Sequence, residues 1–515
     1  MLKPIRLALT LLVAATTQLA AQSPDVHHAF PAAVAPGQTT EVTFFGEHLD
    51  GAVRLWTSFP ARTELVRSNA TDAGKSIWRL TLPADVPRCI GAIRLLTSNG
   101  VSHSELMMID DLPTIASVDG NRTLGTAQEL KIPVAVEGRC EDARLTCFKF
   151  AARKGQRITV EAVAARLGSA LDPVVRLLNS GGRELAYCDD AEGLGGDALL
   201  TREIPVDGIC FIELRDAQYQ GGPQHRYRLR VGEFPPAPLP FVSRTAFDLA
   251  PSEDNASATA EAELNDTPER ATKIPLPTSI HGRFTPAGDR DWFEFVAKKD
   301  QRLIFQGRLR SLGSPGDLYF SLHKTNGTRI AEAKVSGADD GSLAHTFAES
   351  GPYRLLVEEL NHRGGPEYRY EIGVQPAGPD FALTVETDKV EAPAGGEFEI
   401  RVKPVRRDYE GSITLHLSGA AGSWAITNHV IEAKSTNTVS LKATAPNQLK
   451  IGDLVHFSVQ GVGTNGEART ATQAGGVSGG RRAAPASFRL PRELDGVIAL
   501  GVKSGATSSA ADTAK

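Results

Sequence analysis

Short runs in which apolar and polar residues alternate recur along almost the whole chain. In the first part they fall at 41–45 (EVTFF), 53–56 (VRLW), 77–82 (IWRLTL) and 93–96 (IRLL), separated by Pro36-Gly37, Gly46, Asp50-Gly51 and Asn99-Gly100. Trp292-Phe293-Glu294-Phe295 has the same two-residue beat. It returns at 381–385, 398–402, 413–417, 439–443 and 455–459. A period of two marks a strand with one buried face, and turn residues at this spacing mark antiparallel connections. No long helical period interrupts the pattern. The expected fold is therefore all-β, a row of tandem antiparallel β-sandwiches.

An internal repeat divides the middle of the chain. Lys154-Gly155-Gln156-Arg157 opens a stretch that returns at Lys299-Asp300-Gln301-Arg302. Leu167-Gly168-Ser169 and Asp172 lie over Leu312-Gly313-Ser314 and Asp317. Gly221-Gly222-Pro223 with Arg226-Tyr227 lies over Gly364-Gly365-Pro366 with Arg369-Tyr370. The boundaries that follow are a sandwich at 24–110, a first copy at 111–236 and a linker at 237–258. A second copy spans 259–376 and another sandwich 378–474; 475–515 reads as linker, one possible strand and a disordered tail. Pro235 to Pro240 is a stiff spacer, and 251–263 is acidic and rich in Ala and Ser.

Both copies resemble the bacterial pre-peptidase C-terminal domain, a secreted jelly-roll-like β-sandwich. The resemblance rests on Glu263-Leu264-Asn265-Asp266, on Asp289-Arg290-Asp291-Trp292-Phe293, and on the doubled QR, LGS and GGP texts. The segment from Pro31 to Ala52 resembles the start of TIG-like immunoglobulin domains, and 378–474 reads as immunoglobulin-like. In collagenase members of the pre-peptidase family, calcium bridges the leading segment to the sandwich. The resemblance places that role on Glu263, Asn265, Asp289 and Asp291. Together with Asp266 they supply carboxylate and amide oxygens suited to a hard cation such as Ca²⁺, or else they are solvated turn residues. The first copy has Asp119-Gly120-Asn121 at the leader and Cys147 at the Trp292 position, so calcium is expected in the second copy only.

At 515 residues the chain exceeds one ordinary core. Its net charge of −5, with the signs well mixed, offers no basic stripe for nucleic acid. Residues 1–21 read as a secretory signal peptide: Lys3 and Arg6, a short apolar run, then Leu19-Ala20-Ala21. No later apolar run is long enough to span a bilayer, so a secreted, periplasmic or cell-envelope protein without a membrane span is expected. Four of the five cysteines, Cys140, Cys147, Cys188 and Cys210, crowd into one window. In an oxidising compartment two disulfides are expected there, with Cys140–Cys147 and Cys188–Cys210 favoured among the three pairings.

Other features have weaker chemistry. The acidic doublets Asp189-Asp190 and Asp339-Asp340 read as turn residues before they read as a second cation site. Tyr368 and Tyr370 share a strand face that is either exposed for stacking on a polymer or plain core. His27-His28 read as a flexible polar start. No nucleophile elbow, zinc-binding helix or phosphate loop is present in this sequence. The expected function is therefore a non-catalytic binding or scaffold protein attached to an extracellular polymer or to a partner secreted hydrolase. The rivals are a hydrolase with an unfamiliar site and a structural spacer of a surface assembly.

Overall fold

In the computed structural model, the structure describes residues 22–68, 73–191, 194–234, 257–309, 312, 314, 316–333, 340–366, 368–419, 424–474 and 494–504. The expected signal peptide, the whole proline-rich spacer, Gly313, Asp339 and the tail beyond 504 lie outside these residues.

The described residues form an all-β molecule of eight sheets, packed in pairs around four apolar cores. The first sandwich buries Val42, Phe44, Leu80 and Leu95, the inward members of the alternating runs. Such alternation has one physical outcome: every second side chain leaves water, at about 25 cal/mol per Å² of apolar surface removed.

The second and third sandwiches share one topology. With the eight long strands numbered in chain order within each, one sheet runs 1-8-3-6 and its partner 2-7-4-5. This is the jelly-roll order. In the second sandwich strand 1 is Val134–Arg139, strand 2 Thr146–Ala152 and strand 8 Arg226–Gly232. In the third they are Thr278–Arg283, Arg290–Ala297 and Arg369–Pro376. Each copy begins with a leader that adds two short parallel strands, one to each sheet: Thr114–Ala116 and Gln128–Glu129, then Ser257–Ala260 and Thr272–Lys273. The leader therefore crosses the open end of its sandwich between the sheets, which is where the candidate site lies.

The fourth sandwich includes a strand that sequence places beyond it. Val497–Val502 pairs parallel with Lys389–Ala392 and antiparallel with Leu454–Gly463, burying Ile498 and Leu500. The first and fourth sandwiches also touch each other. Arg94 donates to Asp388 at 2.9 Å, His103 Nδ1 lies 2.5 Å from the same carboxylate, and Trp56 packs on His456 with ring centroids 4.3 Å apart. First and second sandwiches meet through Asp110, whose carboxylate accepts from Arg228 at 2.7 Å and from Arg230 at 3.1 Å.

Two expectations need correction. No disulfide joins the cysteines. Cys140 faces the second core beside Phe148 and Phe150, whereas Cys147 precedes Phe148 on its strand and points to the opposite face. Cys188 pairs with Val175, and Val175 pairs with Leu214 on the strand of Cys210. One intervening strand and a four-residue offset put the Cys188 and Cys210 Cα atoms roughly 15 Å apart, about twice the reach of a disulfide. Nor are His27 and His28 a flexible start. Both sit in the strand Asp25–Phe30, and the His28 ring stacks on Phe45 at 4.5 Å.

Candidate metal centre

The leader of the third sandwich carries Glu261, Glu263, Asn265 and Asp266 across the start of strand 2, where Asp289 and Asp291 stand. Register holds them together. The Asn265 carbonyl accepts the Trp292 amide at 3.0 Å, and the Glu261 carboxylate accepts the Arg283 amide at 2.9 Å. Ligand oxygens of Glu263, Asp289 and Asp291 come within 4.8 Å of one another. Asp289 and Asp291 are 5% and 0% exposed, which is an unusual place for two acids.

Hydrogen bonds orient the group without neutralising it. Asp289 accepts the Thr285 amide at 2.6 Å and the Arg290 amide at 2.9 Å. One Asp291 oxygen accepts the Tyr370 hydroxyl at 2.8 Å, and the other has no partner. Tyr370 also reaches Glu261 at 3.2 Å. Asp266 lies within hydrogen-bonding reach of Asp289. Burial, then the charges of Glu261 and Asp289, pushes the Asp291 carboxyl up to about 9. Burial also pushes Asp289 up to about 6 and raises Glu261 and Glu263. Packed acids of this kind keep protons unless a cation replaces them.

Asn265 supplies a separate test of fit. Its side chain is 0% exposed, and neither Oδ1 nor Nδ2 has a hydrogen-bond partner. A buried amide in that state costs about 1–3 kcal/mol, and a metal ion accepting its oxygen removes half of the problem. Glu261, Glu263, Asn265, Asp266, Asp289 and Asp291 offer oxygens of the type that Ca²⁺ takes, and no soft ligand stands among them. The donors present fit a hard divalent cation.

Of the five residues singled out from sequence, Glu263, Asp289 and Asp291 bring ligand oxygens together, Asp266 reaches Asp289, and Asn265 joins the same strand through its backbone carbonyl. Sequence reasoning missed Glu261 and Tyr370. The available signal for Glu261 was its spacing, two residues before Glu263 along an extended leader. Tyr370 reads from sequence as a stacking surface or as plain core, and its hydrogen bond to the acids has no mark there. It is 1% exposed, and Tyr368 packs against the same core, so neither forms an open aromatic platform. Gly282 completes the geometry, since a Cβ there would lie 2.2 Å from Tyr370 and 2.3 Å from Glu261.

The second sandwich keeps the frame and changes the chemistry. Asn121 occupies the place of Asn265, its carbonyl accepting the Cys147 amide at 2.6 Å. Ser117 and Thr146 stand where Glu261 and Asp291 would be, and Arg122 replaces Asp266. Its leader is held by an ion pair, Arg122 to Glu141 at 2.5 Å, and not by a disulfide. Elsewhere in this sandwich Tyr187 donates to Asp189 at 2.9 Å. Burial and then Asp190 raise the Asp172 carboxyl, so the acidic doublet borders a small acidic patch.

No family model matches the chain. A probable subtilase-type serine protease of Deinococcus radiodurans is 25% identical over 207 residues, 36% of this chain and 27% of that protein. The chain thus spans about a quarter of the length of this curated relative. Among solved structures, the pre-peptidase C-terminal domain of a Bacillus anthracis collagenase is matched over 100% of its length and 22% of this chain, at 23% identity and a TM-score of 0.18. A putative secreted protein of Eubacterium rectale is matched over 81% of its length and 50% of this chain, at 8% identity and a TM-score of 0.17. Among the described residues, no helix is long and apolar enough to cross a membrane.

Proposed function

We propose that this chain is an exported, non-catalytic accessory protein with two pre-peptidase C-terminal-like modules flanked by immunoglobulin-like sandwiches. In this reading the third sandwich takes up a structural Ca²⁺ that fixes its leader, and the assembly attaches to an extracellular polymer or to a partner hydrolase. The observation that carries the reading is the cluster of Glu263, Asp289 and Asp291, beside a leader residue, Asn265, whose buried amide has no partner. These groups join a leader to a sheet at the end of a sandwich; each buried acid is tied to backbone or to Tyr370. That is the arrangement of a brace.

The partial similarity to a probable serine protease supports an association with peptidases and also keeps a hydrolase reading open to test. Calorimetric titration of the chelated protein with CaCl₂, followed by a casein-turnover assay, decides between them. Calcium uptake near one equivalent without turnover is expected. No calcium heat, or turnover that survives purification and is lost in an Asp291→Asn variant, overturns the proposal.

A further inference from the structure

The fourth sandwich takes one of its inner strands from the far side of a long connection. Thr472–Gln473 is the edge strand of one sheet, nineteen residues follow Ala474 at 475–493, and Val497–Val502 then enters the other sheet. Lys389–Ala392 pairs with it in parallel on one side, and Leu454 to Ser458 pair with it antiparallel on the other. Without this strand both neighbours would present unpaired N–H and C=O groups beside an apolar floor that includes Val390 and Phe457.

The slot is selective about what fills it. Ile498 and Leu500 enter the fourth core, while Ala499 and Gly501 face the other way, where a Cβ on Gly501 would lie 2.7 Å from Val101. Both ends of the strand are held. Asp495 accepts the Gln473 amide at 2.7 Å, and the Lys503 and Ser504 amides donate to Ala392 and Ser98 at 3.1 and 2.9 Å. An occupant must therefore bring large apolar residues on one face and nothing beyond Ala and Gly on the other. A second copy of this chain brings that pattern by construction. The Gln473–Asp495 contact also shows that a few residues would bridge the gap between the two strands. The surplus length gives reach, roughly 60 Å when extended.

We propose that Val497–Val502 is an exchangeable strand, given by one copy of this chain to the fourth sandwich of another. The slot makes the same backbone pairs and buries the same side chains whichever copy supplies the strand, so the closed and exchanged forms differ only in the connection. A strand on a flexible tether acts at an effective concentration on the order of millimolar. The closed form therefore prevails in dilute protein, and exchange sets in where copies crowd together. The partner is a second copy of the chain, and the site does not depend on the calcium reading.

Two full-length single variants, Ser458→Cys and Val497→Cys, test it. These positions are partners across the slot, so their Cα atoms stand at the spacing a disulfide needs. The two chains, of different mass, are mixed at about 10 μM and at about 1 mM, held until the ratio of products is constant, and oxidised. Mass spectrometry of the digested covalent dimers then counts bonds between positions 458 and 497. Mixed dimers with that bond are expected to rise about tenfold or more at the higher concentration and to exceed like-with-like dimers. Deleting most of 475–493 from the Val497→Cys chain is expected to suppress them. Mixed dimers no more frequent than like-with-like ones, mixed dimers undiminished by the deletion, or monomer alone at the higher concentration overturns the proposal.

Discussion

Arg94 and Asp388 lie 294 positions apart in the chain, yet they form a 2.9 Å ion pair with side chains 3% and 0% exposed. The Asp388 carboxylate is further held by the Ser104 amide at 2.9 Å and by His103. Burial alone would raise its pKa, but Arg94, then His103 and Ser104, hold it well below the usual carboxylate range. Around this pair, Lys389 donates to the Val101 carbonyl at 2.6 Å and the Val101 amide donates to Glu391 at 3.1 Å.

Asp388→Ala would leave the Arg94 guanidinium buried without its counter-charge. The expected loss is about 3–5 kcal/mol, the penalty typical of breaking a buried pair from one side. Replacing both residues by apolar ones of similar size is expected to recover most of it. Urea unfolding of the two variants checks both statements.

His456 gives the same contact a pH dependence. Burial, then the nearby charges of Arg94 and Arg54, pushes its imidazole down to about 4. The unfolded chain takes up that proton near the ordinary value of about 6.5. The contribution is therefore complete above about 6.5 and is lost as pH falls from there towards 4, on the order of 2–3 kcal/mol. Melts across this range are expected to show the drop. His456→Phe, which keeps a ring against Trp56, is expected to flatten it.

Asn265→Leu is expected to change sign with conditions. In chelator the variant melts higher than the parent protein, because a buried amide without partners has been removed, worth about 1–3 kcal/mol. With excess Ca²⁺ it melts lower, because a ligand oxygen has gone. Paired scanning-calorimetry runs with and without chelator read both differences. A variant that melts lower in both would rule out the cation role of this side chain.

Gly282→Ala would drive a methyl group into Tyr370 and the Glu261 carboxylate. Overpacking of this kind costs about 1–3 kcal/mol, and it displaces two of the groups around Asp291. Weaker calcium uptake by titration is expected together with a lower Tm.

The thiols yield a simple check. Burial pushes Cys140 up to about 12 and Cys147 up to about 11, and neither is bonded to another cysteine. Both are expected to resist iodoacetamide until the protein is unfolded, and dithiothreitol is expected to leave the Tm unchanged.

The strands were legible because each writes its own pattern. Phe293 and Phe295 are 0% and 1% exposed, as the alternation at 292–295 requires. The acids of the leader and of strand 2 were legible as oxygen donors on either side of one turn. Tyr370 and Glu261 were not, because their contact is made between strand 8 and a leader more than a hundred residues earlier. The cysteine spacing misled for a related reason. Closeness along the chain says nothing about which strand comes between two residues, and here one strand does. Arg94 and Asp388 carry no sequence signal of their pairing, which is made only where the fourth sandwich lies against the first.

That contact changes what a break in the backbone would do. With the first sandwich fastened to the fourth, and Asp110 fastening it to the second, a single protease cut between the middle modules leaves both pieces holding each other. Cleaved material should elute from a sizing column where intact protein does, and come apart only when acid or denaturant loosens the Asp388 junction.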